Sequence, residues 1–334
     1  MRSKQSFTPT KVILVVPSYS SFRLPIIDAL KNLHVKVFEF DNRRTKIYEK
    51  FIFAASLANK KFYEYGLTIL NKRLVNFVNK ISPDLVIVIK GENILDTSIS
   101  SIRQLSIIVN WFSDYLFELK NVQKQIGLYS YFFHPEMREV RKLRKTGIKN
   151  IFYLPFSSKI TRINILRKKY NITFVGTFSH YRENILNPLK DKGLSIWGDS
   201  LWKGSTLAKN FQGKWLNQNQ MKKTFSQSRI VINIHRGTMS NSEGTNLRTF
   251  EVAGTGAFLL TDYRKSLDDL FKIGSEIVCF KDKNDLFKKV DFYLKNENTR
   301  NKIASAGHLR VKKDHSYEKR LMKMFSVVNS KSLE

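Results

Sequence analysis

The chain has 334 residues, and its 58 Lys or Arg against 28 Asp or Glu give a formal net charge of +30. That length exceeds what one hydrophobic core usually supports, so we expect two domains. With 42% hydrophobic and 13% aromatic residues the chain is not largely disordered. Its one cysteine, Cys279, excludes a disulfide framework and a cysteine-based metal site.

The first half of the chain alternates between short apolar runs and amphipathic stretches. The apolar runs predict strands at 11–17, 35–40, 84–89, 106–111, 129–134 and 150–154. Helical patterns separate them, the clearest at 22–33 and 48–80. Continuous β-branched strands that alternate with helices are typical of a parallel sheet covered on both faces. We therefore predict a Rossmann-like α/β domain over residues 1–155.

The pattern restarts after a polar, basic linker at 155–169. Strands are predicted at 172–176, 194–198, 229–234, 257–261 and 276–280. From residue 282 onwards the pattern is helical, so we predict a second Rossmann-like domain over 156–334 with basic C-terminal helices. No apolar run approaches the roughly 20 residues of a membrane span, and no secretory leader is predicted.

Several common catalytic and cofactor motifs are missing from the sequence. The loop after the first strand, Ser18-Tyr19-Ser20-Ser21, lacks the glycines of a dinucleotide-binding turn, and no P-loop occurs. There is no Asp-x-Asp pair to hold a metal–nucleotide complex, and the histidines are not paired at helical spacing. We therefore expect neither a cofactor nor a metal ion.

The most informative segment is 240–261, which follows a predicted strand. Ser240 and Glu243 have the spacing of a capping box and predict a helix start, with Thr245 as an alternative cap. Gly254 is placed where such a helix would end. The N-terminal N–H groups of this helix would point towards the carboxyl edge of a parallel sheet, where anions bind.

Two side chains of this predicted helix have the chemistry to bind a nucleotide. Arg248 can offer two parallel N–H groups to a phosphate, and Glu251 can accept two hydrogen bonds from a ribose diol. On an ideal helix Glu243 and Glu251 are separated by about 80° after two turns, so both could address one ligand. The alternative is that Arg248 and Glu251 form an ordinary surface ion pair.

In this region the sequence resembles the CgeB-like (spore-maturation) glycosyltransferases of the GT-B fold. The resemblance covers Ile172 to Val328 and is carried by ordered pieces: Phe174-Val175-Gly176 followed by Arg182, Trp197-Gly198, Asn233-Ile234-His235-Arg236, Asn246-Leu247-Arg248-Thr249-Phe250-Glu251, Gly256-Ala257-Phe258-Leu259-Leu260-Thr261, and Ala306-Gly307. Trp111-Phe112-Ser113-Asp114 and Tyr153-Leu154-Pro155-Phe156 extend it into the first half. The loop at 17–22 departs from the pattern, because it lacks the glycines common in GT-B enzymes.

The resemblance implies two Rossmann-like domains with parallel sheets facing a cleft. A nucleoside-diphosphate sugar would be bound by the second domain and the acceptor by the first. It also implies the Glu-x7-Glu pattern of many retaining sugar transferases, carried here by Glu243 and Glu251. Glu251 would then bind the ribose, Glu243 would lie near the donor sugar or diphosphate, and Asn246 would belong to the same donor-binding set.

If no metal ion takes part, the departing diphosphate needs positive charge from the protein. The candidates are Arg248, Arg182, the start of the predicted helix and, less strongly, Arg236. Gly176 would either let a phosphate approach closely or simply end its strand. Trp197-Gly198 would either wall the nucleobase or belong to the core.

Asp114 is the candidate catalytic base. It follows a strand of the first domain and is flanked by aromatic residues, surroundings that suit a general base. An inverting reaction would need such a base, whereas a retaining one could lack it. The residues alone leave the stereochemistry open, and the resemblance favours retention.

These observations predict a metal-independent glycosyltransferase that acts on an unidentified acceptor in cell-surface polysaccharide or glycoconjugate synthesis. The positive charge, including six cations within 310–323, predicts a cytoplasmic enzyme at the inner face of an anionic membrane, with a lipid-linked or otherwise anionic acceptor. No nucleic acid partner is expected. The alternatives are a basic nucleic-acid-binding protein, which would explain the charge alone, and a GT-B-fold sugar epimerase or polyol-phosphate transferase.

Overall fold

The computed structural model describes residues 8–43, 60–112, 120–160, 167–235 and 243–331. The chain divides into two compact units. The first comprises Met1–Pro155 together with Tyr317–Glu334, and the second is Phe156–Ser316.

The first unit is built on a six-stranded parallel sheet. Its strands are β1 (Lys11–Val15), β2 (Lys36–Phe40), β3 (Leu85–Ile89), β4 (Ile107–Trp111), β5 (Tyr131–His134) and β6 (Ile151–Tyr153). Their order across the sheet is β2-β1-β3-β4-β5-β6. The run Leu-Val-Ile-Val-Ile of β3 is buried along its whole length, as expected for a central strand covered on both faces.

Helices connect these strands. They are α1 (Arg23–Asn32), α2 (Lys60–Ile81), α3 (Asp96–Leu105), α4 (Lys120–Gln125) and α5 (Met137–Lys145). The helix α5 buries Val140 and Leu143 against the sheet side of the unit and is strongly basic elsewhere. Its exposed cations are Arg138, Arg141, Lys142, Arg144 and Lys145.

The second unit has a five-stranded parallel sheet. Its strands are β7 (Tyr170–Val175), β8 (Leu194–Trp197), β9 (Ser228–Asn233), β10 (Leu259–Asp262) and β11 (Val278–Phe280), in the order β11-β10-β9-β7-β8. Its helices are α6 (His180–Leu186), α7 (Gln218–Ser226), α8 (Leu247–Gly254), α9 (Leu267–Leu270), α10 (Lys283–Lys295) and α11 (Glu297–Asp314). All the predicted strands of both halves are present, with ends shifted by no more than two residues.

The last helix, α12 (Tyr317–Lys331), packs within the first unit. It contacts α1, its Tyr317 ring lies 6.0 Å from that of Trp111, and Tyr131 donates to the Val328 carbonyl at 3.2 Å. The sequence placed all of 156–334 in the second domain, so the two compact units differ from that division at their last helix. An apolar helix face does not specify which of two similar sheets it covers, and for this reason the sequence pattern missed the change of unit.

Among the helices that the structure describes, none is both long and apolar enough to cross a bilayer.

Candidate functional site

The carboxyl edge of the second sheet contains a topological switch point. The strand β7 has β8 on one side and β9 on the other, so the loops that leave β7 and β9 diverge. In open parallel sheets ligands bind in the crevice at such a point. The loops concerned are 176–179 and 234–246, of which 236–242, including the predicted donor-binding Arg236, lie outside the described residues.

Arg182 connects these two loops. Its guanidinium donates from Nε and Nη2 to the Ile234 carbonyl at 3.2 and 2.7 Å, and from Nη1 to the Thr177 carbonyl and hydroxyl at 2.8 Å each. The side chain is buried and its guanidinium carbon lies 5.4 Å from the centre of the Phe174 ring. The sequence predicted that Arg182 contacts a phosphate, whereas the structure uses its donors to hold the loops after β7 and β9 together.

Gly176 and Gly198 allow the ends of β7 and β8 to approach each other closely. A Cβ on Gly198 would lie 2.1 Å from the Gly176 carbonyl oxygen, which also accepts a hydrogen bond from Trp202 Nε1 at 3.0 Å. A Cβ on Gly176 would meet Phe174 at 2.9 Å and Arg182 at 3.2 Å. Protein side chains therefore occupy the space beside Gly176, which fits a strand-ending turn better than a phosphate contact.

Trp197 occupies a core position. Its side chain is 4% exposed and meets the Tyr170 ring edge to face, with centroids 5.0 Å apart. Of the two roles considered for Trp197, a wall for the nucleobase and a place in the core, the structure thus shows the place in the core. Tyr181 on α6 is an aromatic side chain that is 41% exposed. Partial burial and, after it, the Asp262 carboxylate at the end of β10 raise the pKa of Tyr181.

The helix α8 begins later than the sequence predicted. Its N-cap is Asn246, whose Oδ1 accepts a hydrogen bond from the Thr249 N–H at 3.2 Å. Glu243 is exposed and precedes the helix, so the angle calculated for an ideal helix between Glu243 and Glu251 was wrong. Ser240, the other half of the predicted capping box, lies outside the described residues.

Asn246 is bound to the sheet as well as to α8. Its side-chain amide exchanges hydrogen bonds with that of Asn233 at 3.0 and 3.1 Å. Asn233 Nδ2 also donates to Thr249 Oγ1 at 3.3 Å and to Thr261 Oγ1 at 3.1 Å. These contacts fix the start of α8 to the ends of β9 and β10. The side chain of Asn246 thus positions the helix, and its role towards a donor stays a prediction.

His235, Asp262 and Arg264 extend this polar network. His235 is fully buried, with Nδ1 2.6 Å from Asp262 Oδ1 and with Nε2 accepting the Asn246 N–H at 3.1 Å. Because Nε2 accepts the Asn246 N–H, Nδ1 is the ring nitrogen that faces the Asp262 carboxylate as a donor. Arg264 donates to Asp262 Oδ2 at 2.8 Å. Burial alone would raise the pKa of Asp262, but its contacts with His235 and Arg264 outweigh burial and lower that pKa.

Arg248 and Glu251 form an ion pair within α8. Arg248 Nη1 lies 2.5 Å from Glu251 Oε2, and the two side chains are 21% and 14% exposed. Arg248 also contacts Met221 Sδ, and its guanidinium carbon lies 5.4 Å from the centre of the Phe225 ring on α7. The ion pair considered as an alternative is therefore present, while the roles of both residues towards a ligand stay predictions.

Two lysines that the sequence did not single out, Lys159 and Lys222, add positive charge to this part of the second unit. Burial and the neighbouring charge of Lys159 lower the pKa of Lys222 on α7, while the Glu251 carboxylate counteracts them. Glu251 therefore pairs with Arg248 and also interacts electrostatically with Lys222. The two lysines come from segments remote in sequence, so no local motif could have revealed them.

Asp114, the predicted base, lies outside the described residues. Within the described ranges, no three His, Cys, Asp or Glu side chains come together as a metal-binding group.

Comparison with known proteins identifies the class of the fold. Residues 182–326 match the model of a family described as glycosyl transferase-like. The structure resembles sucrose-phosphate synthase from Thermosynechococcus elongatus, with TM-score 0.67, 10% identity and coverage of 96% of this chain and 98% of that one. HepE from Anabaena in complex with UDP-glucose matches with TM-score 0.59, 10% identity and coverage of 97% and 99%.

TarM from S. aureus is similar over a smaller share of its length. It matches with TM-score 0.59 and 12% identity, and the aligned region covers 79% of this chain but 58% of TarM. No curated protein matches the sequence. The chain therefore has the predicted GT-B fold of two Rossmann-like α/β units. The match to the glycosyl transferase-like family model is confined to the segment 182–326.

Proposed function

We propose that this protein is a glycosyltransferase that moves a sugar from a nucleoside-diphosphate sugar to an acceptor, in cell-surface polysaccharide or glycoconjugate synthesis. The family match over 182–326 carries the proposal, because that segment contains α8 and the polar network that fixes its start. The proposal extends to membership of the CgeB-like subgroup, a retaining reaction and independence of metal ions.

The donor would bind at the carboxyl edge between β7 and β9. Glu251 would accept hydrogen bonds from the ribose diol, which requires its partner Arg248 to turn towards the diphosphate. Lys222 and the N-terminal turn of α8 would add positive charge as the leaving diphosphate develops its own negative charge. Glu243, exposed just before α8, would face the donor sugar.

The rigidity of this edge supports such a role. Hydrogen bonds from Asn233, His235 and Asn246 hold the start of α8, so the N–H groups there would need little reorganisation to face the leaving phosphate. Catalysis of this kind depends on charges and dipoles that are already in place when the bond breaks.

We further propose that the enzyme works on the cytoplasmic side of an anionic membrane. The exposed cations of α5 support this better than the predicted cluster at 310–323. In that cluster Arg320 is buried and donates to the Pro155 carbonyl, and Arg310 pairs with Asp314 at 3.0 Å.

A thermal-shift screen of UDP, GDP, CMP and TDP sugars, each with and without EDTA, tests the proposal. HepE was crystallised with UDP-glucose, so UDP sugars are the first series to try. A donor that stabilises the protein is then incubated with candidate acceptors, and the products are analysed. Epimerised sugar without transfer would favour the epimerase alternative. DNA or RNA binding at physiological salt with no nucleotide-sugar binding would overturn the proposal.

A further inference from the structure

The first unit has a topological switch point of its own. The strand β1 lies between β2 and β3, so the loops after β1 and β3 diverge at the carboxyl edge of this sheet. Such a crevice is a general ligand position in open parallel sheets, and the first sheet meets this condition independently of the second. The residues that border it come from the loops after β1, β2 and β3.

Three side chains from these three loops form a connected group. Tyr19 follows β1 and is 70% exposed. The guanidinium carbon of Arg43, which follows β2, lies 5.9 Å from the centre of the Tyr19 ring. Arg43 Nη2 also forms a short ion pair with the Glu92 carboxylate, which follows β3, and the two side chains are 40% and 25% exposed. An exposed aromatic ring therefore stands next to a charged donor and a charged acceptor.

Three buried side-chain amides hold the loop that carries Glu92. Asn110 donates to the Lys90 carbonyl at 3.1 Å, and Asn71 donates to the Asn93 carbonyl at 3.0 Å. Gln125 donates to the Ile94 carbonyl at 2.9 Å. Three elements, β4, α2 and α4, thus supply one amide each to fix the carbonyls of one short loop.

The same loop has an unfavourable backbone conformation. Lys90 has φ +67°, which costs a non-glycine residue about 1–2 kcal/mol, and Gly91 follows with φ +85°. A Cβ on Gly91 would lie 2.7 Å from both Asn110 Nδ2 and Tyr129 Oη. His34 and Ser82 also have positive φ, but each follows the end of a helix, where this conformation is ordinary. Strain that is held in place at a sheet edge is a feature of binding sites.

We propose that Tyr19, Arg43 and Glu92 bind a sugar ring of the acceptor. One face of a pyranose presents C–H groups that pack on an aromatic ring, while its hydroxyl groups donate to a carboxylate and accept from a guanidinium. The group at this edge offers all three partners within one loop cluster. The inference rests on the proposed function, since it names the chemical class of the acceptor of that reaction, but the site can be tested without a donor.

The test is saturation-transfer NMR on the full chain with a panel of methyl glycosides of glucose, galactose, mannose and N-acetylglucosamine. Dissociation constants then follow from titration of the best glycoside. We expect Tyr19→Ala and Glu92→Gln each to weaken binding about fivefold to tenfold, and Tyr19→Phe to retain it because the ring remains. The matched controls are Tyr65→Ala, an exposed tyrosine on α2, and Glu39→Gln, which pairs with Arg23.

The outcomes separate this inference from the proposed function. If the wild type binds a nucleotide sugar but none of the glycosides, the acceptor site is wrong and the glycosyltransferase proposal stands. Glycoside binding that survives both Tyr19→Ala and Glu92→Gln would equally overturn the site. Loss in these variants, with normal melting temperatures and unaffected controls, supports it even if no donor has been found.

Discussion

The two ring nitrogens of His235 have different partners, and this gives a test at the scale of single residues. Nδ1 faces Asp262, and Nε2 accepts the N–H of Asn246 at the start of α8. A glutamine can place its amide oxygen near the position of Nε2, whereas an asparagine reaches only as far as Nδ1. If the bond to Asn246 positions the donor site, His235→Gln should retain nucleotide-sugar affinity, and His235→Asn should lose about 1 kcal/mol of it.

Isothermal titration with the best nucleotide sugar measures this difference, and urea unfolding of both variants provides the control for stability. Equal losses of affinity in His235→Gln and His235→Asn, together with equal losses of stability, would mean that His235 is a general packing residue. In that case the hydrogen bond between His235 and Asn246 would not position the donor site.

Glu251 supports a second prediction at this scale. Glu251→Gln removes a charge-assisted acceptor for the ribose diol and should weaken donor binding by about 1.5–3 kcal/mol while leaving the fold intact. Titration of the donor measures the loss. Glu297→Gln is the control, because Glu297 also pairs with an arginine three residues away but lies at the start of α11. Donor affinity unchanged in Glu251→Gln would remove Glu251 from the site.

Residue types alone could not predict which charged side chains serve the fold. Arg182 was expected to contact a phosphate, but its guanidinium donates four hydrogen bonds to Thr177 and Ile234. These bonds hold two loops of the second unit together. Asp262 ends a strand that begins with two leucines, and Arg264 follows it two residues later. Its partner His235 becomes evident only when β9 and β10 are placed side by side.

At the scale of elements, the ends of β7 and β8 can lie close together only because Gly198 has no side chain. Gly198→Ala would place a methyl group 2.1 Å from the Gly176 carbonyl oxygen, so the two strand ends would have to separate. We expect a loss of about 2–4 kcal/mol in the free energy of unfolding. Urea denaturation measures it.

Gly204→Ala is the matched control for this prediction. Gly204 lies in the same stretch of chain, yet no atom would come within 4 Å of its added Cβ. Its free energy of unfolding should change by no more than about 0.5 kcal/mol. If both variants lost the same stability, flexibility of glycine in the unfolded chain, and not the close approach at Gly198, would explain the effect.

The start of α8 could not be predicted from the spacing of capping residues alone. Capping-box spacing favoured Ser240 and Glu243, but Asn246 is the cap because its amide bonds both to Thr249 and to Asn233 in the sheet. The helix ends at Gly254 as predicted, and the positive φ of +77° that follows many helices falls on Gly256. The strands were predictable because their apolar runs are continuous and buried.

At the scale of the whole molecule, the proposed chemistry predicts insensitivity to chelators. Cationic side chains and a helix N-terminus would stabilise the departing diphosphate, so transfer should proceed equally in EDTA and in magnesium. Product formation measured under both conditions tests this. Activity abolished by EDTA and restored by magnesium or manganese would show that a metal ion bears the leaving-group charge.

The net charge of +30 leads to a prediction about location. We expect the protein to float with anionic liposomes but not with neutral ones, and to be released as salt screens the attraction. Replacing Arg141 and Lys145 of α5 by Gln should weaken flotation by about 2 kcal/mol. The control replaces Lys312 and Lys313 of α11. Failure to float with either type of liposome would end the membrane proposal, and competition by DNA would point to a general affinity for polyanions.

The position of α12 has a consequence for how the protein is made. Translation releases residues 317–331 from the ribosome only after the whole of the second unit, whereas that unit, Phe156–Ser316, is continuous and can fold as soon as it emerges. Until then, the apolar face of α12, which includes Leu321, Met324 and Phe325, is missing from the first unit. The unit that is synthesised first is therefore completed last. Until α12 has been made, part of the hydrophobic core of that unit stays exposed to solvent.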